Sequence, residues 1–289
     1  MTKIIDNKYI LYFNKKIGEG GFSEVFSGKC LTTDEIVAIK CEKKESIKKQ
    51  ILEKEKYIYQ ILLKNENTAK MLFYNEDETY RYLVLEKYYM NLGNYKKKRK
   101  IENDGKFLFI TREIIKQIKI LHDLGIIHKD IKPENFVIDK KNNTVKLIDF
   151  GLSDTFLDEN KKHVIMKKTR SRSGTLRYMS PNSHKKYRLS RRDDLISLSY
   201  SLIFLYKNKL PWQNIIAESK KEKYNKVLEI KTKYLNNTDL LNNLPEPIAI
   251  IYKYSKELRF NEKPKYEFLI DIINLCCEIS NININKIKL

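Results

Sequence analysis

The chain predicts an α+β protein of two lobes, a small β-rich N-terminal lobe with one helix and a larger, mainly α C-terminal lobe. Three observations carry that expectation. Before residue 86, short β-branched and aromatic runs alternate with Gly-rich or polar turns. After Tyr88, apolar residues recur at helical spacing. The length of 289 residues, 42% of them hydrophobic, is enough for a substantial core in two lobes. The boundary falls near 86–91, dividing 1–88 from 89–289.

Taken in order, strands are expected over 11–17, 25–29 and 36–40. A helix follows over 47–64, where Ile51, Ile58, Ile61 and Leu62 share a face, and 80–86 reads as another strand. In the second part, Ile110, Ile114, Ile115, Ile118 and Leu121 mark a helix over 107–124 that ends at Gly125. Helices are also expected over 193–206, 247–258 and 266–279. The basic run at 96–100 reads as a solvated loop or helix face.

Composition narrows the function classes. The longest apolar stretch, 196–206, is interrupted by Ser197, Ser199 and Ser201, and is shorter than the ~18–20 residues of a membrane span. The apolar cluster at 9–13 is too short for a secretory leader. An intracellular protein, cytoplasmic or nuclear, with no membrane partner is expected. Cys30, Cys41, Cys276 and Cys277 form no C-x-x-C pair, which suits reduced thiols. The formal charge is +20, and 161–192 holds twelve Lys or Arg and no Asp or Glu. Such a local field favours anionic partners.

One segment points to a chemistry. His128, Asp130, Lys132 and Asn135 form H-x-D-x-K-x-x-N, and Asp149-Phe150-Gly151 follows a polar hairpin. Phosphoryl transfer needs a carboxylate to orient the attacking hydroxyl and oxygen ligands for Mg²⁺ on a nucleotide. Asp130 suits the first task, and Asn135 and Asp149 the second. Lys132 suits neutralising charge on the transferred group, and His128 suits bracing the loop. Upstream, Gly18, Gly20 and Gly21 form a strand-turn-strand whose backbone N–H groups can approach phosphates closely. Lys40, in Val37-Ala38-Ile39-Lys40, can reach the α/β-phosphates. Its carboxylate partner comes from the following helix. Of Glu53 and Glu55, the fifteen-residue spacing and the Tyr59 one turn on favour Glu55.

These motifs resemble the protein kinases, and within them the casein kinase 1 family. The resemblance is carried by residues 128–136, 148–152, Gly174-Thr175-Leu176-Arg177-Tyr178, Ser190-Arg191-Arg192-Asp193-Asp194-Leu195, Leu210-Pro211-Trp212-Gln213 and 258–264. Where most protein kinases have Ala-Pro-Glu, this chain has Ser180-Pro181-Asn182, as is typical of that family. The departures are Ser23 for the last glycine of the Gly-rich loop, Lys129 for the usual Arg before the catalytic Asp, Ser199 for a usual Gly, and Lys87 and Tyr88 in the hinge. Lys129 cannot form the bidentate fork with which Arg clamps a phosphate.

The resemblance implies a bilobal kinase fold and an ATP- and Mg²⁺-dependent Ser/Thr kinase that is active without an activation-loop phosphate. It implies adenine held by Val25, Ala38 and Val137 and by the backbone near Glu86 to Tyr88, with Leu85 as gatekeeper and Ile17 and Ile148 lining the site. It also implies acidic or phosphorylated protein substrates, with Arg177 and Lys223 as the anion-recognising groups and Lys168 or Arg170 as helpers. Two rival readings are a pseudokinase scaffold and a basic nucleic-acid-binding protein. The complete set Lys40, Glu55, Asp130, Lys132, Asn135 and Asp149 argues against the first. The second lacks any nucleic-acid motif and interleaved aromatics, so no specific nucleic-acid partner is expected.

Overall fold

The computed structural model describes residues 2–20, 23–44, 51–235 and 238–289. The chain divides into two compact units. The first holds Met1–Tyr89 with Ile148–Gly151, and the second Met90–Leu147 with Leu152–Leu289.

The first unit is built on one antiparallel sheet. Its strands are β1 (Thr2–Ile5), β2 (Tyr9–Glu19), β3 (Glu24–Cys30), β4 (Ile36–Lys43), β5 (Met71–Glu76) and β6 (Tyr80–Glu86), in the spatial order β1-β2-β3-β4-β6-β5. Two of these, β1 and β5, are additional to the expected strands, and both lie at sheet edges. Edge strands bury one row of side chains less regularly, so their alternation is weak.

Register fixes what each face carries. Val25 pairs with Lys40, Ala38 with Leu85 and Lys40 with Leu83. Directly opposed residues project to the same side, so Val25, Ala38, Lys40, Leu83 and Leu85 share one face. The intervening Phe26, Val37, Ile39, Cys41, Tyr82 and Val84 project to the other and form a buried cluster with Ile5 and Leu11. Helix α1 (Ile51–Leu62) buries Leu52, Glu55, Ile58, Tyr59 and Leu62. That i, i+3, i+4 stripe is apolar except at Glu55. The part of the expected helix at 47–50 lies outside the described residues.

The second unit is mainly helical. It comprises α2 (Leu92–Lys97), α3 (Asp104–Asp123), β7 (Ile126–Ile127), β8 (Phe136–Asp139), β9 (Thr144–Leu147), β10 (Asp154–Thr155), α4 (Pro181–His184), α5 (Arg191–Lys207), α6 (Lys220–Leu235), α7 (Glu246–Glu257) and α8 (Tyr266–Ile279). Helix α5 is buried on nearly every side, as a central core helix must be, and packs on α7 and α3. Helix α3 packs on α8 and on β9 of the β8–β9 hairpin. Both ends of α3 are fixed locally. The Asn103 side chain accepts from the Lys106 N–H at the start, and Gly125, at φ +80°, follows the end.

Helix α6 is additional to the expected helices. It is polar almost all round, and its buried residues are Val227 and Lys231. No described helix is long and apolar enough to cross a membrane. The four cysteines are unpaired.

Candidate active site

In the first unit the Lys40 ammonium joins two carboxylates. Its Nζ lies 2.6 Å from Glu55 Oε2 and 2.7 Å from Asp149 Oδ1. Glu53 is exposed, whereas Glu55 is fully buried on the inner stripe of α1. The other Glu55 oxygen accepts the Phe150 N–H at 3.2 Å. One carboxylate thus ties strand β4, helix α1 and the Asp-Phe-Gly turn together. Burial works against the Lys40 charge, but Glu55 and Asp149 outweigh it and hold the ammonium above its ordinary value. Burial likewise raises the Glu55 carboxyl, with Lys40 opposing.

The turn that carries Asp149 is tightly determined. Asp149 is held at φ 67°, a left-handed conformation that is costly for a side-chain-bearing residue. Phe150 stands edge-on to Tyr59 of α1 at 5.0 Å between centroids. A Cβ on Gly151 would come within 2.9 Å of Ile51 Cγ2, so a larger residue there would have to displace the Ile51 side chain at the start of α1.

The expected nucleotide contacts of this unit fall as follows. Gly18 pairs with Val25, and the Gly20 N–H donates to the Ser23 carbonyl at 2.8 Å, closing the turn. Gly21 lies outside the described residues. Ile17 is about half exposed. Val25, Ala38 and Leu85 line the Lys40 face of the sheet. The Tyr88 hydroxyl donates to Glu86 Oε2 at 3.0 Å, fixing one hinge side chain upon the other. Ile148 belongs to this unit, whereas Val137, on β8, belongs to the second.

In the second unit, Asp130 is the centre of a dense set of donors. Lys132 Nζ lies 2.6 Å from its Oδ2. Its Oδ1 accepts the Thr175 N–H at 2.7 Å and the Thr175 hydroxyl at 2.8 Å. Lys132 also reaches the Thr175 hydroxyl at 3.1 Å, completing a triangle. The Asn135 amide donates to the Asp130 carbonyl at 2.9 Å, and this bond orients its Oδ1. His128 is fully buried and its Nδ1 accepts the Asp130 N–H at 3.3 Å.

The loop is braced from below by Asp194 of α5. Its carboxylate accepts the N–H groups of His128 at 2.7 Å and Lys129 at 2.9 Å, and His122 Nε2 at 2.9 Å. His122 in turn bonds the Tyr266 hydroxyl of α8 through Nδ1. Burial opposes the Asp194 charge, yet His122 and these N–H groups hold the carboxyl below its ordinary range. Lys129 is itself held at φ 68°, with its amine 3.2 Å from Asp154. Gly174 sits at φ +95°, where a Cβ would lie 2.6 Å from the Lys129 carbonyl, so the activation segment can approach the loop only as glycine.

The Ser180-Pro181-Asn182 segment is anchored to the neighbouring acid. Asp193 accepts from the Ser180 hydroxyl at 2.6 Å, the Asn182 amide at 2.9 Å and the Ser190 N–H at 2.9 Å. Burial raises this carboxyl and the three donors oppose it.

The expected anion groups are both in the second unit. The Arg177 guanidinium lies over the rings of Phe204 and Tyr178, and among the described residues no carboxylate pairs with it. Lys223 is exposed on α6. Lys168 donates to the Lys185 carbonyl at 3.0 Å, and Arg170 is exposed. Thr175, Asp194 and His122 carry no role legible in the sequence, although Thr175 and Asp194 lie within the 174–178 and 190–195 motifs. No local pattern marks a contact made by residues 45 or more positions away.

These two constellations are those of a protein kinase domain, and the chain belongs to that family, which matches residues 11–280. The chain is also similar to a protein of Dictyostelium discoideum named "Probable serine/threonine-protein kinase". The two are 36% identical over 270 residues, covering 91% of this chain and 52% of that protein. The chain therefore spans about half the length of the curated relative it matches.

Proposed function

We propose that the chain is an ATP-dependent serine/threonine protein kinase of the casein kinase 1 type, acting on acidic or already phosphorylated protein substrates. The observation that carries this reading is the set of groups on Asp130. A carboxylate held by Lys132 and by both donors of Thr175, on a loop locked by Asp194, is fixed to receive one hydrogen bond from an incoming hydroxyl.

The roles divide between the units. In the first, the turn of Gly18, Gly20 and Gly21 lets phosphates approach the backbone closely, and Lys40, oriented by Glu55, neutralises phosphate charge. Ile17, Val25, Ala38, Leu85 and Ile148 offer apolar surface to the base, and the backbone from Glu86 to Tyr88 its polar contacts. In the second unit, Asp130 orients the Ser/Thr hydroxyl and accepts its proton as it attacks. Lys132 holds charge on the group in transit. Mg²⁺ is characteristically held by one or two protein oxygens together with substrate phosphates, and Asp149 and Asn135 offer that many. Bound there, the ion would neutralise charge on the phosphates.

The casein kinase 1 assignment rests on Ser180-Pro181-Asn182 and on the Ser190-to-Leu195 block. Substrate preference rests on Arg177, a planar fork with no carboxylate partner among the described residues, and on the basic segment at 161–192. Phosphoserine would bring about −1.5 to −2 charges to that surface.

Peptide phosphorylation, with and without a phosphoserine upstream of the acceptor, tests both layers. Asp149→Asn should lower transfer by about a hundredfold or more while the protein stays folded. Arg177→Ala should raise KM for primed peptides and spare unprimed ones, and added salt should shrink the preference. Near-normal turnover by Asp149→Asn would remove the kinase reading. Equal slowing of both peptide classes by Arg177→Ala would remove the anion site alone.

A further inference from the structure

Lys231 is an anomaly for a lysine. It is fully buried in the middle of the otherwise polar helix α6, and among the described residues no carboxylate pairs with it. A buried amine is tolerated only when its donors are met. Here Nζ donates to the Met179 carbonyl at 2.7 Å and to the Leu176 carbonyl at 2.9 Å, and lies 3.3 Å from His184 Nε2. Its amine is 5.2 Å from the ring centroids of Tyr200 and Trp212. Burial pushes the Lys231 amine well below its usual value, and burial also lowers His184, to about 3.

The acceptors identify the purpose. Leu176 and Met179 belong to the segment that begins at Thr175, the residue whose N–H and hydroxyl hold Asp130. Between them, the Arg177 carbonyl accepts from Trp212 Nε1 at 2.7 Å. Trp212 and Tyr200 stand edge-to-face at 4.7 Å, so the two donors share one wall. Three carbonyls of a four-residue stretch are thus held by side chains from elsewhere in the unit. The same helix carries Lys223 eight residues earlier, about 12 Å along its axis. Beside it, Tyr224 packs against His184 and beneath Arg172.

We infer that Lys231, with Trp212, is a positioning residue for the protein substrate, holding the backbone of 175–179 in the shape that presents the acceptor next to Asp130. The inference rests on the reading of Asp130 as the group that orients the hydroxyl. Neither side chain touches the reacting atoms. Their effect is confined to where the loop lies, and hence to the peptide rather than to the nucleotide.

The test is steady-state kinetics of Lys231→Met, which keeps the length of the side chain and removes the donors. The expected result is a fall of about tenfold or more in kcat/KM for a peptide substrate, with KM for ATP within about twofold of wild type. Hydrogen exchange at the 176–179 amides should rise, with the rest of the second unit still protected. Trp212→Phe keeps a ring and loses the one donor to Arg177, and should give the same signature more weakly. It decides the matter if Lys231→Met does not fold. Wild-type peptide kinetics and exchange in the foldable variants would overturn the inference. So would a parallel loss for peptide and ATP, which marks a general structural role. Asp130→Asn separates the two readings. If that variant transfers phosphate normally, the Asp130 assignment fails, whereas exchange in 176–179 still reports on Lys231.

Discussion

Removing the Lys40 amine leaves a carboxylate in a place no carboxylate can occupy alone. Glu55 is fully buried, and its Oε2 has Lys40 at 2.6 Å, while Oε1 accepts the Phe150 N–H. In Lys40→Met the cheapest response is for Glu55 to take up a proton. The ordinary carboxyl value is 4.5. Keeping the group protonated at pH 7, 2.5 pH units higher, costs up to about 3.4 kcal/mol at ~1.36 kcal/mol per unit. At pH 5.5 the same cost falls to about 1.4 kcal/mol. The sign follows from linkage. In the variant, folded Glu55 binds its proton more tightly than unfolded Glu55, so the penalty grows as pH rises above 4.5 and fades as pH falls toward it. Urea unfolding of wild type, Lys40→Met and Lys40→Met/Glu55→Gln at pH 5.5, 6.25 and 7 measures it. The single variant should lose up to about 2 kcal/mol more at pH 7 than at pH 5.5, relative to wild type, and the double variant should show no such slope. A penalty independent of pH in the single variant, or the same slope in the double, would refute the reasoning.

Two further outcomes follow from the second unit. Ser180→Ala removes a 2.6 Å bond to the buried Asp193 carboxylate and the acceptor for the Ser183 N–H at the start of α4. A loss of about 2–4 kcal/mol in chemical unfolding is expected, and a loss under about 1 kcal/mol would show that Asn182 and Ser190 suffice. His184 is held by burial, Lys231 and Arg172 at a pKa of about 3, below the ordinary 6.5. Its contribution is therefore complete above pH 6.5 and declines as pH falls toward 3, by up to ~1.4 kcal/mol per pH unit. His184→Gln should have a visibly flatter acid limb than wild type in unfolding measured from pH 7 to 4, and identical limbs would contradict this.

The sequence alone determined what is local in the chain. The spacing from His128 to Asn135 places four polar groups on one short loop, because such a loop has few ways to run. Helical periodicity brought out α3, since an apolar stripe at period 3.6 must find a core, and α5, α7 and α8 were also legible as helices. The fifteen-residue spacing from Lys40 and the Tyr59 one turn on favoured Glu55 over Glu53, and it is Glu55 that lies on the buried stripe of α1, against Lys40. Tertiary structure alone decided the rest. That Thr175 grips Asp130 from 45 residues away, and that Asp194 holds the 128 and 129 amides, depends on the path of the chain between them. Helix α6 has no stripe to read, because its buried residues are Val227 and Lys231, the latter an amine bonded to two carbonyls. Hydrophobic patterning reports how much apolar area an element can hide, which is additive along the sequence. A hydrogen bond between distant groups depends on a distance and an angle, and those exist only once the chain has folded.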